Sequence, residues 1–180
     1  MLFRSWTSAI SATAILLLLG APLLSIRLGF GDNGNAPEST TVRRAYDMLA
    51  EGFGPGFNGP LFITVQGETA SNPAALDEFV GTVKNVDGIA FAQATPASAD
   101  GSLSLVIAYQ TTAPQDEATT KLIKTLRNDV IPKTGVAAKV GGFTAAGVDF
   151  ADVIGSRMPF LFIGVLSLSF LLLKIGRAHV

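Results

Sequence analysis

The sequence predicts an α+β domain, with elements in the order β-α-β-β-α-β, flanked by two transmembrane α-helices. Three observations carry this. Long apolar runs occupy the two ends, four short stretches rich in β-branched and aromatic residues lie between them, and helix-period segments separate the first stretch from the second and the third from the fourth. The chain has 180 residues, enough for one ordinary domain and additional segments. Its mean hydropathy of +0.44 is high for a soluble protein, and the excess sits at the ends. With 13 Lys and Arg against 14 Asp and Glu there is no basic field to hold nucleic acid. Cysteine is absent, which removes disulfides, thiolate zinc sites and thiol nucleophiles and is compatible with either side of a membrane.

Residues Ser5 to Ile26 carry no charge and lie between Arg4 and Arg27, with Ala14 to Leu19 continuously apolar. About 20 helical residues at 1.5 Å rise match a hydrocarbon core of roughly 30 Å. Trp6 suits an interfacial anchor, and Pro22 falls in the last third, where a kink is tolerated if neighbouring helices satisfy the backbone. The rival reading is a cleaved signal peptide, but no small-x-small cleavage site follows cleanly before Arg27. The second run, Met158 to Leu173, is uncharged and stopped by Lys174. It is hydrophobic on every face, which favours lipid over a small core, and Gly164, Ser167 and Ser169 would let another helix approach. Arg4 and Lys174 are the flanking charges that set both ends in the cytoplasm, against Arg27 and Arg157 on the other side.

Between the runs, residues 29–37 read as an exit loop of turn formers. Ser39-Thr40-Thr41 offers an N-cap to a helix from Val42 to about Gly52. Leu61 to Val65 reads as a buried strand. Asn72 caps a helix opened by Pro73 and ended by Asp87-Gly88, with Leu76, Phe79, Val80 and Val83 as its apolar face. Strands follow at Ile89 to Thr95 and Leu103 to Gln110, joined through an Asp100-Gly101 hairpin signal. A helix from Gln115 to Val130, closed by Pro132, precedes a strand at Val136 to Val140. A last helix, Ala145 to Ile154, continues toward the membrane. Leaving out the first of these helices, the order is that of the split βαβ, or ferredoxin-like, arrangement, with both crossover helices on one face of a four-stranded antiparallel sheet.

Gly54-Pro55-Gly56-Phe57-Asn58-Gly59 satisfies G-x-G-x-x-G formally, but a dinucleotide fingerprint follows a strand and opens a helix, the reverse of the order here. The better account is a wide turn in which glycine permits positive φ. Asp149 and Asp152, three apart on one helix, are close enough to share a cation or proton, although a solvated surface is the default. Asp77-Glu78 and Asp116-Glu117 complement helix dipoles in first turns. Neither apolar run contains an ionisable residue, so an ion relay would have to lie elsewhere. The residues nominate no catalytic, cofactor-binding or metal-ligating side chain, and no cofactor.

Several segments then resemble one family: Ser25-Ile26-Arg27-Leu28-Gly29-Phe30, Arg43-Arg44-Ala45-Tyr46-Asp47-Met48-Leu49, and above all Gly52-Phe53-Gly54-Pro55-Gly56-Phe57-Asn58-Gly59-Pro60, with the likeness continuing through Gly141-Gly142 and Asp149-Phe150. These are similar to the MMPL family of actinobacterial membrane transporters, in the resistance-nodulation-division (RND) superfamily. The resemblance implies a ferredoxin-like porter domain between the first two of six helices in one half of a transporter, and proton-driven export of lipids or other hydrophobic compounds across the cytoplasmic membrane. It implies as partners the lipid bilayer, the remaining transmembrane helices and a hydrophobic or lipid substrate, and it leaves a homo-oligomer open. The proton-relay residues of the family lie on later helices, so none is carried over to this sequence.

The expected organisation is therefore a cytoplasmic N-terminus at 1–4, a transmembrane helix at 5–27, an extracytoplasmic porter-like α+β domain at 28–154, and a truncated transmembrane helix at 155–174. Residues 175–180, Ile-Gly-Arg-Ala-His-Val, match the translation of a sequencing adapter and are expected to be foreign to the natural gene, His179 included. The chief alternative is an extracytoplasmic sensor domain of a two-helix membrane receptor. A membrane-attached hydrolase is disfavoured by the lack of credible histidine, cysteine and metal-ligand clusters.

Overall fold

The four predicted strands form a single antiparallel sheet in the order β2-β3-β1-β4, where β1 is Leu61–Gln66, β2 Ile89–Ala94, β3 Leu103–Gln110 and β4 Ala138–Gly141. That order is what two crossovers in a split βαβ unit produce, each passing over one intervening strand. The computed structural model describes residues 3–22, 26, 29 and 31–177. In chain order its helices are α1 (Phe3–Gly20), α2 (Thr41–Phe53), α3 (Glu68–Ser71), α4 (Pro73–Lys84), α5 (Glu117–Thr125), α6 (Ile131–Thr134) and α7 (Phe143–Arg177).

Alternation along the strands decides which sheet face is covered. Leu61, Ile63 and Val65 are buried while Phe62, Thr64 and Gln66 are exposed, and β3 buries Ser104, Val106, Ala108 and Gln110 in the same way. Register aligns Ile63 with Val106 on one side and Val140 on the other, so three buried aliphatics cross the sheet in a row. Onto this face α4 lays Leu76, Phe79, Val80 and Val83, and α5 with the turn after it lays Leu122, Ile123 and Leu126. Each such side chain contributes about 1.5–3 kcal/mol when taken fully from water.

Local signals act as expected at several ends. Asn72 Oδ1 accepts from the backbone N–H groups of Ala74 (3.1 Å) and Ala75 (3.4 Å), a cap worth about 1 kcal/mol. Thr40 Oγ1 accepts from Arg43 N at 3.3 Å and opens α2. In the β2–β3 hairpin, Asp100 accepts from Ser98 Oγ at 2.6 Å and from Ser102 N at 3.1 Å, and these bonds hold its carboxyl down at about 2.

Other features differ from the sequence reading. Pro132 does not close the helix after β3. The chain widens into a π turn at Leu126–Val130, with Ile131 N–H donating to Leu126 O, and continues as α6 until Gly135. Proline has no N–H and its ring crowds the carbonyl four residues back, and the wider turn accommodates both. Asp77 and Glu78 fall in the second turn of α4, whereas Glu117 does occupy the first turn of α5. The four-residue α3 is too short to show a period in sequence. At the N-terminus α1 stops at Gly20, and residues 21 and 22 form a tighter 3-10 turn, so the described helix is shorter than the expected 5–27 span. The expected end at Arg27, and His179, lie outside the described residues.

At the other end there is no boundary between a domain helix and a membrane helix. α7 runs 35 residues without interruption, with Pro159 inside it. Its first turns are core, since Ala145 and Val148 are buried, and from Met158 onward its apolar side chains are exposed. Among the described residues it is the one helix long and apolar enough to cross a bilayer.

Candidate functional site

The glycine-proline segment that carried the family likeness is where the sheet, α2 and α7 are fastened together. It folds as a 3-10 turn at Pro55–Asn58 between α2 and β1. The expectation that its glycines serve positive φ holds for Gly54, at φ 94°, but not for Gly56 or Gly59. Those two are required by close approach. A Cβ on Gly56 would sit inside the van der Waals shell of the Gln110 carbonyl, 2.7 Å from its carbon, and one on Gly59 would lie 2.6 Å from Pro114 Cγ and collide with Thr144 Oγ1. With the side chains absent, the Gly59 carbonyl accepts from Gln110 Nε2 (2.9 Å) and Thr144 Oγ1 (2.8 Å). One buried oxygen thus joins the loop, the end of β3 and the first turn of α7. Asn58 Nδ2 donates to Tyr46 O at 3.0 Å, tying the loop to α2, and Phe57 stacks on both Phe53 and Tyr109.

A second fastening lies one to two turns further along α7. Asp149 and Asp152 each meet a basic side chain of their own. Asp149 pairs with Arg127, which also donates to Val140 O at 2.7 Å, and Asp152 pairs with Lys124 at 2.9 Å. The three-residue spacing on α7 matches the Lys124/Arg127 spacing of the helix that follows β3, so the two rows form a ladder. Half-exposed pairs of this kind contribute about 0–1 kcal/mol each. They join the exposed side of α7 to the helix that follows β3, beside the buried contacts of Ala145 and Val148.

Beside the ladder, a cavity of about 480 Å³ opens between the start of α5, α7 and the chain leaving α1, with Asp32, Gln115, Gly147 and Asp152 in its wall. Asp32 organises this corner by accepting from Gly34 N (2.8 Å), from the Tyr46 hydroxyl (3.0 Å) and from Gln115 Nε2. Burial, and then the bond to Asp32, push the Tyr46 phenol up to about 12. Since the folded state prefers the neutral phenol, this contribution to stability is complete below the ordinary tyrosine range near 10 and is lost as pH rises toward about 12. Phenolate absorbance is expected to show one tyrosine titrating near 12, and Asp32→Asn should bring that titration down.

No protein-family profile matches the chain. Individual proteins do. It is 32% identical over 170 residues to the membrane protein YdfJ of Bacillus subtilis, covering 93% of this chain and 23% of that protein. It is 28% identical over 181 residues to the mycolic acid-containing lipids exporter MmpL11 of Mycolicibacterium smegmatis (96% and 19%). The heme uptake protein MmpL11 of Mycobacterium tuberculosis matches at 28% over 183 residues (96% and 18%). The chain therefore spans about a fifth of the length of the curated relatives it matches. Their names describe membrane and transport proteins, not enzymes.

Proposed function

The chain belongs to the MMPL family of membrane proteins, and from that premise we propose that it is the porter domain and two flanking membrane helices of a longer proton-driven transporter, which exports lipids or other hydrophobic compounds across the cytoplasmic membrane. The α+β domain stands on the extracytoplasmic side and both chain ends on the cytoplasmic side, with the remaining transmembrane helices supplying the proton relay. Support for hydrophobic cargo comes from relatives named for mycolic acid-containing lipids and for heme. The receptor alternative has no such support.

One observation carries the mechanism: α7 is at once a core element of the domain and the apolar helix that leaves it. Gly59, Thr144 and the Lys124/Arg127 ladder hold its first turns, so a tilt of the membrane-embedded part is passed to the sheet to the extent that the helix stays straight through Pro159. Protonation elsewhere that favours one helix arrangement would then rock the domain and open or close an apolar path. The test is the full-length parent reconstituted in liposomes under a pH gradient. Movement of an amphiphilic substrate that stops when the gradient is collapsed is the expected result, and no gradient-dependent movement of any amphiphile would end this reading.

A further inference from the structure

The first turns of α7 are fastened to the domain and the rest are not. Thr144, Ala145 and Val148 are buried, and Asp149 and Asp152 meet Arg127 and Lys124, but from Val153 onward none of its described side chains is buried. Directly after the last fastening, three causes of helix bending fall within about one and a half turns. Pro159 has no N–H to give the Gly155 carbonyl, and its ring crowds that oxygen. Gly155 and Ser156 form a glycine–serine pair, a sequence at which helices kink. Ser156 Oγ donates to Val153 O at 2.9 Å, so a hydroxyl competes for a carbonyl of the same ladder. The same turn marks the edge of the apolar run, since Arg157 is followed by the uncharged stretch that begins at Met158.

We infer that Gly155 to Pro159 is a hinge, at which the membrane-embedded part of α7 bends while its first turns stay on the sheet. The backbone remains helical through it, as the unbroken α7 requires, and only the resistance to bending drops there. Because the proline ring pushes the turns apart on its own side of the helix, the bend closes on the opposite side. This deepens the rocking mechanism by placing the point at which part of a tilt is absorbed before it reaches the sheet, and it rests on that mechanism for its use. Bending is measured without transport. A rigid α7 would leave the transport reading standing, and a bending α7 in a parent that moved no amphiphile would leave the hinge standing.

The chain has no cysteine, so Ala146→Cys with Leu171→Cys gives two defined attachment points for nitroxides. Both positions are exposed, one on each side of the hinge. They lie about seven turns apart and roughly 120–140° around the helix from Pro159, so both report from the side that closes. A straight helix sets them about 37 Å apart, and a bend of about 20–30° shortens this by about 2–4 Å. Double electron–electron resonance is recorded in phosphatidylcholine nanodiscs, with labelled chain diluted in unlabelled chain so that distances within one molecule are read. The expected result is a broad distribution extending that far below the straight-helix distance. Pro159→Ala restores the N–H and should narrow it to one peak near about 37 Å. If that variant does not fold, Gly155→Ala, with the proline kept, carries the comparison and should narrow the distribution partway. A single narrow peak at the straight-helix distance in the chain with Gly155 and Pro159 intact would overturn the hinge without any comparison. Distributions of equal centre and width with and without Pro159 would overturn it too.

Discussion

Gly56→Ala is expected to cost the α+β domain at least about 3 kcal/mol, a large share of the roughly 5–15 kcal/mol that keeps a domain folded. The added methyl would overlap the Gln110 carbonyl, a backbone group at the end of β3, paired there with β2, that cannot swing aside as a flexible side chain would. Relief requires the 3-10 turn to lift from the end of β3, which breaks the Gln110 and Thr144 bonds to Gly59 O and the Phe57–Tyr109 stack together. Denaturant unfolding of the detergent-solubilised chain, followed by far-UV circular dichroism, measures the shift. Gly81→Ala is the comparison within the same chain: a Cβ there meets nothing within 4 Å, and Gly81 lies inside α4. That variant should gain up to about 1 kcal/mol from helix propensity. Equal effects at the two positions would remove the close-approach account of the glycine-proline loop.

The contrast between Gly54 and Gly56 shows what was and was not legible in the sequence. A glycine-rich run announces a turn, and one of its glycines does adopt positive φ. Which glycine faces a carbonyl depends on Gln110, more than fifty residues away, and no local pattern carries that. The sheet was readable because β1 and β3 alternate, and because Asn72-Pro73 and Thr40 are signals satisfied by atoms two or three residues away. The π turn was hidden because Pro132 reads as a stop, and only the carbonyl geometry reveals the way around it. Asp149 and Asp152 were visible as a pair on one helix face, but their partners lie 22 and 28 residues back in the chain. Spacing along one helix fixes which way side chains point and says nothing about what stands opposite. The stacking of Phe57 on Tyr109 was missed for the same reason, since the two lie more than fifty positions apart in the chain and only the fold brings them together.

Leu166→Arg separates the two roles of α7. Leu166 lies in the middle of the apolar run, is 65% exposed and is neither a core residue of the domain nor one of the partly buried hydrophobics packed against the core. Placing a guanidinium there should cost membrane insertion about 2.5–3.5 kcal/mol, on the order of a hundredfold in the inserted fraction. Carbonate extraction of membranes from cells expressing residues 29–180, which lack α1, would read this as loss of the chain from the lipid-bound fraction, with Ser169→Ala, which removes only a hydroxyl bonded to Val165 O within the helix, as the silent comparison. The α+β domain should meanwhile keep its circular dichroism and its unfolding midpoint, because the turns of α7 that it buries, at Thr144, Ala145 and Val148, lie about 30 Å of helix away at 1.5 Å per residue. If the arginine instead unfolded the domain and left extraction unchanged, the apolar run would have to be packed against protein rather than lipid. The continuity of α7 from sheet to bilayer, on which the rocking mechanism depends, would then lose its membrane end.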